Sequence, residues 1–251
     1  MLIKRKVFDL IETVKFTLIL PIAGYQKFGK FIILTRPRTG SSLLRNLLNS
    51  HPNLFVRGEI FGLNRRIVSV DSVISKIWNY QPKHIQWAGF KLFYNHLFHE
   101  RHKGLYQKIL KNKAVRIIHL KRRNLVKAEI SAALARQTGI WNGKFENNQR
   151  EGIKIYMHPD TLAANLNMTL ENYERIESLL KNHEIIEVIY EDLVEELSQT
   201  MKEISRFLNI KDHTFQTPFL KQSTESIESL VENHQELRNY FQGTRWYKYF
   251  E

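Results

Sequence analysis

The 251-residue chain contains no cysteine. Disulfide bonds, thiolate metal sites and cysteine nucleophiles are therefore excluded, and the composition is compatible with a reducing compartment. The sequence also lacks a His-Glu-x-x-His motif or a comparable cluster of metal ligands, so its chemistry does not require a metal ion. We expect a cytoplasmic protein that works without a bound metal.

Proline and glycine are scarce, with 6 and 11 residues, and they form no linker or low-complexity tract. The hydrophobic content of 43% is sufficient for one sizeable core. We predict a single domain over residues 1–251, in which residues 1–30 form a helical extension. Residues 138–159 are polar and contain three glycines, which predicts a long loop that acts as a lid or binds the acceptor.

Long apolar runs are absent from the amino-terminal segment. Its only charge-free stretch, Phe16–Ala23, is too short for a membrane span, which needs about 20 apolar residues. An amphipathic helix that packs on the domain is the simpler interpretation of Val7–Ala23. A basic helix lying on a membrane surface, led by the cationic residues 4–6, is the alternative and would make the protein peripheral to a membrane.

Acidic residues are outnumbered, with 25 Asp and Glu against 38 Lys and Arg, which gives a net charge of +13. Such an excess favours an anionic partner: a nucleic acid, a membrane surface or a polyanionic cofactor. No basic face with a nucleic-acid docking motif is recognisable, so we expect no nucleic-acid partner.

The most informative segment is residues 31–48. The apolar run Phe31–Leu34 predicts a strand, and leucines at helical spacing from Leu43 onward predict a helix. Between them lies a turn with two arginines, a glycine and three hydroxyl side chains. A helix amino terminus that follows such a turn is a binding site for an anion. The Walker P-loop is excluded, because no lysine precedes Ser41 and Ser42.

A second basic segment follows a later strand. The apolar run Val115–Leu120 ends in Lys121, Arg122 and Arg123, and a helix begins near Asn124. Ser131 stands eight residues after Arg123, about two helical turns along, so both side chains can reach one phosphate.

Apolar strands alternate with helices along the chain, which predicts an α/β fold: a P-loop-like parallel sheet of four or five strands with helices on both faces. Ligands of such sheets bind at the carboxyl ends of the strands, where Thr35–Ser42, Lys91–Asn95 and Lys121–Arg123 all fall. We place strands near 31–35, 87–93, 115–120 and 185–190, and helices near 41–50, 70–79, 97–111, 124–137, 161–181, 191–208 and 226–241.

Together the two basic segments resemble the sulfotransferase superfamily. The first is similar to its 5′-phosphosulfate loop, and the second to its 3′-phosphate motif of an arginine followed eight residues later by a serine. The stretch His51–Phe61 resembles bacterial nodulation-type and tyrosylprotein sulfotransferases. Taken together, the motifs are most similar to the bacterial nodulation-type and trehalose carbohydrate sulfotransferases. Weaker similarities lie at Gly89–Leu97, Tyr190–Leu193 and Gly243–Trp246.

The resemblance implies 3′-phosphoadenosine 5′-phosphosulfate (PAPS) as the sulfuryl donor and assigns residue roles. Arg38 stabilises the leaving phosphate, with Arg36 as the alternative for this role. The donor-binding residues that the resemblance implies are Arg36, Thr39, Gly40, Ser41, Ser42, Arg123, Ser131, Gly243, Thr244 and Arg245.

Glu59 matches the glutamate that acts as the general base in the related branches. His51, His96 and His119 are rivals, because histidine titrates near neutral pH. Of these, His119 lies within an apolar strand, which favours a core position. Lys91 ends a strand; it either holds the sulfuryl group or the acceptor, or is an ordinary lysine that extends to solvent.

The resemblance thus implies metal-independent, in-line transfer of a sulfuryl group to a hydroxyl acceptor, a carbohydrate or glycolipid. Two alternatives remain open from the sequence: a non-catalytic anion-binding protein and a small nucleotide-dependent kinase. The missing Walker lysine disfavours the kinase.

Overall fold

A five-stranded, all-parallel sheet forms the centre of the protein in a computed structural model that describes residues 24–62, 69–141, 152–217 and 225–251. The strand order is β2-β3-β1-β4-β5. The α/β prediction and its upper count of five strands are confirmed. The strands are β1 (Gly29–Thr35), β2 (Leu54–Glu59), β3 (Trp87–Phe93), β4 (Val115–Lys121) and β5 (Ile185–Ile189).

The register brings the strand ends that carry the predicted site to one edge of the sheet. Thr35 at the end of β1 pairs with Phe93 of β3, and Leu34 pairs with His119 of β4. On the outer side of β3, Glu59 pairs with Lys91 after a register shift in β2. The predicted convergence of these strand ends is confirmed.

Ten α-helices connect the strands or follow them in the described residues. Two short 3₁₀ helices, Glu100–His102 and Tyr247–Tyr249, accompany them. No helix among these residues is both long and apolar enough to cross a bilayer. The helices are α1 (Ser41–Ser50), α2 (Val70–Trp78), α3 (Tyr94–Phe98), α4 (Leu105–Leu110), α5 (Leu125–Thr138), α6 (Pro159–Leu180), α7 (Tyr190–Glu195), α8 (Leu197–Leu208), α9 (Ile227–Leu230) and α10 (His234–Tyr240).

Helices cover both faces of the sheet, because alternate residues of a strand point to opposite sides. Phe31 and Ile33 of β1 pack in a core cluster with α1 and α8. Ile32 and Leu34 pack in a second cluster with α2, α5 and α6. All four side chains are fully buried, which explains why the sequence of β1 is a continuous apolar run.

Several predicted boundaries are wrong. The helix predicted over 97–111 is divided, because His99 is extended after α3 and Gly104, with a φ of 90°, stands before α4. The helix over 191–208 is divided at Glu196 into α7 and α8. The helix over 226–241 is divided into α9 and α10, because Val231 leaves the helix to form a bridge with Ile155.

The helical extension predicted for residues 1–30 does not include its last residues. Tyr25 forms an antiparallel bridge with Gln81, and β1 begins at Gly29. Residues 1–23 lie outside the described part of the chain, as do residues 142–151 of the predicted lid. The lid and the single domain stay predictions.

The close approach of β1 and β3 gives a test of the sheet register. A Cβ atom on Gly89 would lie 2.7 Å from the Phe31 carbonyl oxygen, a backbone atom of the paired strand. We expect Gly89→Ala to lower the free energy of unfolding by about 1–3 kcal/mol in urea titrations. Gly62→Ala is the control, because no atom lies within 4 Å of its added Cβ. Equal stability of the two variants would contradict the register.

Candidate active site

The loop between β1 and α1 has the backbone of an anion-binding turn. Arg38 has a φ of 66° and Gly40 a φ of 80°, so two residues out of three adopt the left-handed conformation. Gly40 caps α1 without a side-chain hydrogen bond, and the first turn of the helix contains no acidic residue. Within the described part of the chain, the first N–H groups of α1 therefore have no side-chain cap, and no acidic residue of the first turn offsets the positive end of the helix dipole.

Two threonine hydroxyl groups stabilise this loop through buried hydrogen bonds. The Thr35 and Thr39 hydroxyl oxygens lie 2.5 Å apart, and Thr35 donates to the Leu120 carbonyl oxygen at 2.6 Å. Thr39 is fully buried, so its hydroxyl serves the loop itself. The neighbouring Ser41 hydroxyl, near the helix amino terminus, accepts and donates no hydrogen bond among the described residues.

The Arg38 side chain joins the loop to α5, so the two segments singled out in the sequence meet. Its Nε donates to Ser131 Oγ at 2.9 Å, and its NH1 donates to the Trp141 carbonyl oxygen at 2.6 Å. In the other direction, Arg122 NH1 donates to the Arg38 carbonyl oxygen at 2.8 Å. Arg38 and the residue that follows β4 therefore lie in direct contact and not on opposite sides of the molecule.

Arg122 and Tyr190 support the loop between β1 and α1 through contacts with Arg38 and Gly40. The sequence did not predict this role. The Arg122 guanidinium carbon lies 4.8 Å from the centre of the Tyr190 ring. That ring packs on Gly40, where an added Cβ would come within 2.2 Å of it. Glycine at position 40 is thus required both by its φ and by this contact. Only the position of Arg122 at the end of a strand could have signalled this role.

Arg123 lies at the surface and is paired with an acidic side chain. Its NH2 donates to Asp192 at 2.8 Å, and this hydrogen bond raises the pKa of the Arg123 guanidinium. Its main chain is anchored too, since the Glu191 carboxylate accepts from its N–H at 2.9 Å. Arg123 and Ser131 share no hydrogen bond in the described structure.

The carboxy-terminal segment reaches the same corner through an unpredicted residue. The Tyr249 hydroxyl donates to the Arg123 carbonyl oxygen at 2.9 Å. Gly243 turns the chain with a φ of 76°, Thr244 Oγ1 donates to the Phe241 carbonyl oxygen at 2.7 Å, and the Arg245 guanidinium lies 5.6 Å from the centre of the Trp246 ring. The predicted Gly243–Arg245 loop therefore lies in the segment that Tyr249 ties to Arg123.

Glu59 and Lys91 form an ion pair at the end of β2 and β3, with 2.9 Å between Oε1 and Nζ. The Glu59 side chain is 40% exposed, whereas that of Lys91 is only 7% exposed. Burial lowers the pKa of Lys91, and the Glu59 carboxylate opposes that shift. The charges of the Arg45 and Arg38 guanidiniums lower the pKa of Lys91 further.

The three rival histidines have structural partners or strongly lowered basicity. His51 Nδ1 accepts from the Asn53 N–H at 3.1 Å, which stabilises the turn after α1. Burial lowers the pKa of His96 to about 4, helped by the charge of His102. Burial lowers the pKa of His119 to about 3, and its Nε2 lies 2.7 Å from the Tyr94 hydroxyl. A base this weak is poorly matched to a hydroxyl at neutral pH.

Arg36 does not face the anion loop. It forms an ion pair with Glu129 of α5, and the Glu129 side chain is 5% exposed. Arg36 is therefore held at α5 by Glu129, whereas the Arg38 side chain reaches Ser131.

The family model for the sulfotransferase domain matches residues 28–250 of this chain. The chain belongs to the sulfotransferase family. The match spans both basic segments, Glu59 and the carboxy-terminal loop. The kinase and the non-catalytic anion binder are therefore set aside, and the chain is assigned to the sulfuryl-transfer enzymes.

Curated relatives cover nearly the whole sulfotransferase chain. Nodulation protein H of Rhizobium tropici is 27% identical over 234 residues, which is 88% of this chain and 92% of that protein. Nodulation protein H of Rhizobium meliloti (strain 1021) is 23% identical over 236 residues, or 88% and 94% of the two chains. A sulfotransferase crystal structure from Alicyclobacillus acidocaldarius is 13% identical, covers 85% of this chain and 91% of that one, and has a TM-score of 0.49.

The buried histidines predict how the stability of this sulfotransferase depends on pH. The unfolded chain takes up their protons near pH 6.5, whereas folded His119 and His96 do so only near pH 3 and 4. The unfolded state therefore binds more protons in this window, and the free energy of unfolding falls as the pH falls from about 6.5 toward 4. In urea titrations over this window, His119→Gln should reduce the slope by up to about 1.4 kcal/mol per pH unit. An unchanged slope would show that His119 is accessible to protons in the folded state.

Proposed function

We propose that this sulfotransferase moves a sulfuryl group from PAPS to a hydroxyl group of a carbohydrate or glycolipid, without a metal ion. The observation that carries the proposal is the hydrogen bond between Arg38 Nε and Ser131 Oγ, at 2.9 Å. It brings together the loop that resembles the 5′-phosphosulfate site and the helix that resembles the 3′-phosphate site. One bisphosphorylated adenosine can therefore contact both.

The residues at the loop fit the phosphosulfate end of PAPS. The amino terminus of α1 lacks a side-chain cap and an acidic residue, so its N–H groups and the hydroxyls of Ser41 and Ser42 offer donors without a competing anion. The left-handed Gly40 allows close approach of a ligand to the backbone. In our proposal these groups hold the sulfated phosphate.

Arg123 and Ser131 of the second segment fit a 3′-phosphate once Arg123 releases its present partner, Asp192. The Arg123–Asp192 ion pair is about half exposed on both sides, and such pairs contribute only about 0.2–1 kcal/mol. A phosphate group forms stronger charge-assisted hydrogen bonds with arginine than one carboxylate at the surface does. Arg123 therefore exchanges Asp192 for the phosphate, which Ser131 contacts from α5.

The mechanism places a fixed cation and a base around the reacting groups. PAPS, when bound, supplies the sulfuryl group and a phosphate leaving group. Arg38 stabilises the negative charge that grows on the leaving oxygen, because its position is fixed by Ser131 and by Arg122. Glu59 accepts the proton of the acceptor hydroxyl, and buried Lys91 holds the Glu59 carboxylate in place.

The acceptor class follows from the branch that the motifs resemble. The stretch His51–Phe61, which contains Glu59, is similar to nodulation-type and tyrosylprotein sulfotransferases. The motifs as a whole are most similar to the nodulation-type and trehalose carbohydrate sulfotransferases, which supports a carbohydrate or glycolipid acceptor. Contact with a membrane through residues 1–23 would bring the enzyme close to a glycolipid acceptor. A cytoplasmic protein that is peripheral to the membrane is therefore part of this proposal.

Titration calorimetry with adenosine 3′,5′-bisphosphate tests the donor site. The bisphosphate should bind without metal and more tightly than ATP, and Arg123→Ala or Ser131→Ala should weaken binding. Loss of an arginine hydrogen bond to phosphate corresponds to about 10- to 100-fold. Arg206→Ala, which removes an exposed arginine of α8, controls for the high net charge and should leave the affinity unchanged. Equal affinity for ATP with a magnesium requirement would contradict the proposal.

Replacement of Glu59 tests the base. Glu59→Gln keeps the shape of the side chain but cannot accept the proton, so kcat should fall by about 10²–10⁴. The affinity for adenosine 3′,5′-bisphosphate should stay unchanged, because Glu59 lies at the acceptor side. A kcat within threefold of the original would assign the base to another residue.

A further inference from the structure

A polar cleft of about 230 Å³ opens beside the anion loop, and Arg36 and Pro37 of that loop line it. The cleft lies between α5, α6 and the start of α3. The residues of α6 that form its wall belong to none of the motifs recognised in the sequence. The volume is below the range of about 300–1,000 Å³ that is typical of pockets for drug-sized ligands, so it suits one ring-sized unit.

Three side-chain amides contribute to the lining of this cleft. Asn165 and Asn172 of α6 are half-buried in one wall, and Asn95 stands exposed at the entrance. None of the three amides makes a hydrogen bond to another described residue. Each amide offers two donors and one acceptor, and a hydroxyl group both donates and accepts. Three amides around a ring-sized space therefore match a ligand with several hydroxyl groups.

The charges at the base of the cleft are balanced. Arg36 and the buried Glu129 neutralise each other there. Arg136 also lines the cleft and is exposed, so the lining carries one further cation. A polar ligand whose oxygen atoms accept hydrogen bonds from guanidinium and amide groups suits this lining.

An aromatic acceptor fits this lining less well. Among the lining residues Tyr94 is the one aromatic side chain, and it is buried, while Met168 supplies the exposed apolar surface. Sites for phenolic or other apolar ligands are lined mainly by hydrophobic and aromatic side chains. The three amides therefore favour a sugar.

The cleft lies next to the proposed site of transfer. Pro37 separates Arg36, which faces the cleft, from Arg38, which reaches Ser131. Glu129 and Ser131 are two residues apart on α5, so the same helix forms the cleft wall and the donor site. A ring held in the cleft is thus adjacent to the loop that carries Arg38.

We propose that this cleft seats one sugar ring of the acceptor, held by the amides of Asn165 and Asn172, with a hydroxyl directed past Pro37. This inference rests on the proposed sulfuryl transfer and names residues that select the acceptor. It predicts selectivity for polyhydroxyl acceptors and a function of α6 in binding.

The test compares Asn165→Leu and Asn172→Leu with Asn167→Leu. All three exchange asparagine for leucine on α6, a change that favours helix, but Asn167 is exposed and does not line the cleft. The probes are the methyl glycosides of glucose, galactose and N-acetylglucosamine, with phenol as the aromatic comparison. Saturation-transfer NMR measures their binding to the bisphosphate-loaded protein, and calorimetry measures the bisphosphate itself.

At least one methyl glycoside should bind to the original protein and to Asn167→Leu. Asn165→Leu and Asn172→Leu should each weaken its binding by about 3- to 10-fold, the effect of one or two neutral hydrogen bonds. Both should retain the bisphosphate affinity of the original chain, which shows that they are folded and that the donor site is intact.

Unchanged glycoside binding in both cleft variants would overturn this inference and leave the sulfuryl-transfer proposal standing. Binding of phenol in preference to every glycoside would do the same. Failure of the original protein to bind adenosine 3′,5′-bisphosphate would instead overturn the proposed function, and this inference with it.

Discussion

The contact between Arg38 and α5 is the interaction on which the proposed site depends. Arg38 adopts a left-handed backbone, which costs a residue other than glycine on the order of 1–3 kcal/mol. Its carbonyl oxygen is held by Arg122, and its side chain by Ser131. A side chain fixed in this way needs little reorganisation when charge develops nearby, which is how an oxyanion site is effective.

Several cationic side chains lie at the carboxyl edge of the sheet, and their interaction partners differ. Arg36 is balanced by Glu129, and Lys91 by Glu59. Arg122 is buried against the Tyr190 ring and lies near the Glu191 carboxylate. Arg38 donates to the Ser131 hydroxyl and to the Trp141 carbonyl oxygen, and these contacts fix its position between the anion loop and α5. That position agrees with the role proposed for it.

Local patterns predicted the parts of the fold that sequence neighbours determine. The apolar run of β1, the glycine turn and the leucine spacing of α1 are contiguous, and so are β4 and α5. Strand β2 was missed because only Leu54–Val56 of it is continuously apolar, and this left Glu59 without a predicted strand. The pairing of Arg36 with Glu129 and of Tyr249 with Arg123 joins residues 93 and 126 positions apart, which no local pattern reveals.

In the proposed site, one ligand contacts both the loop after β1 and the helix after β4. A crystal structure of the protein with adenosine 3′,5′-bisphosphate measures this directly. We predict the 5′-phosphate at the N–H groups of Ser41 and Ser42, and the 3′-phosphate within hydrogen-bond distance of Arg123 and Ser131. A bisphosphate bound elsewhere, or one that contacts only one of the two segments, would contradict the account.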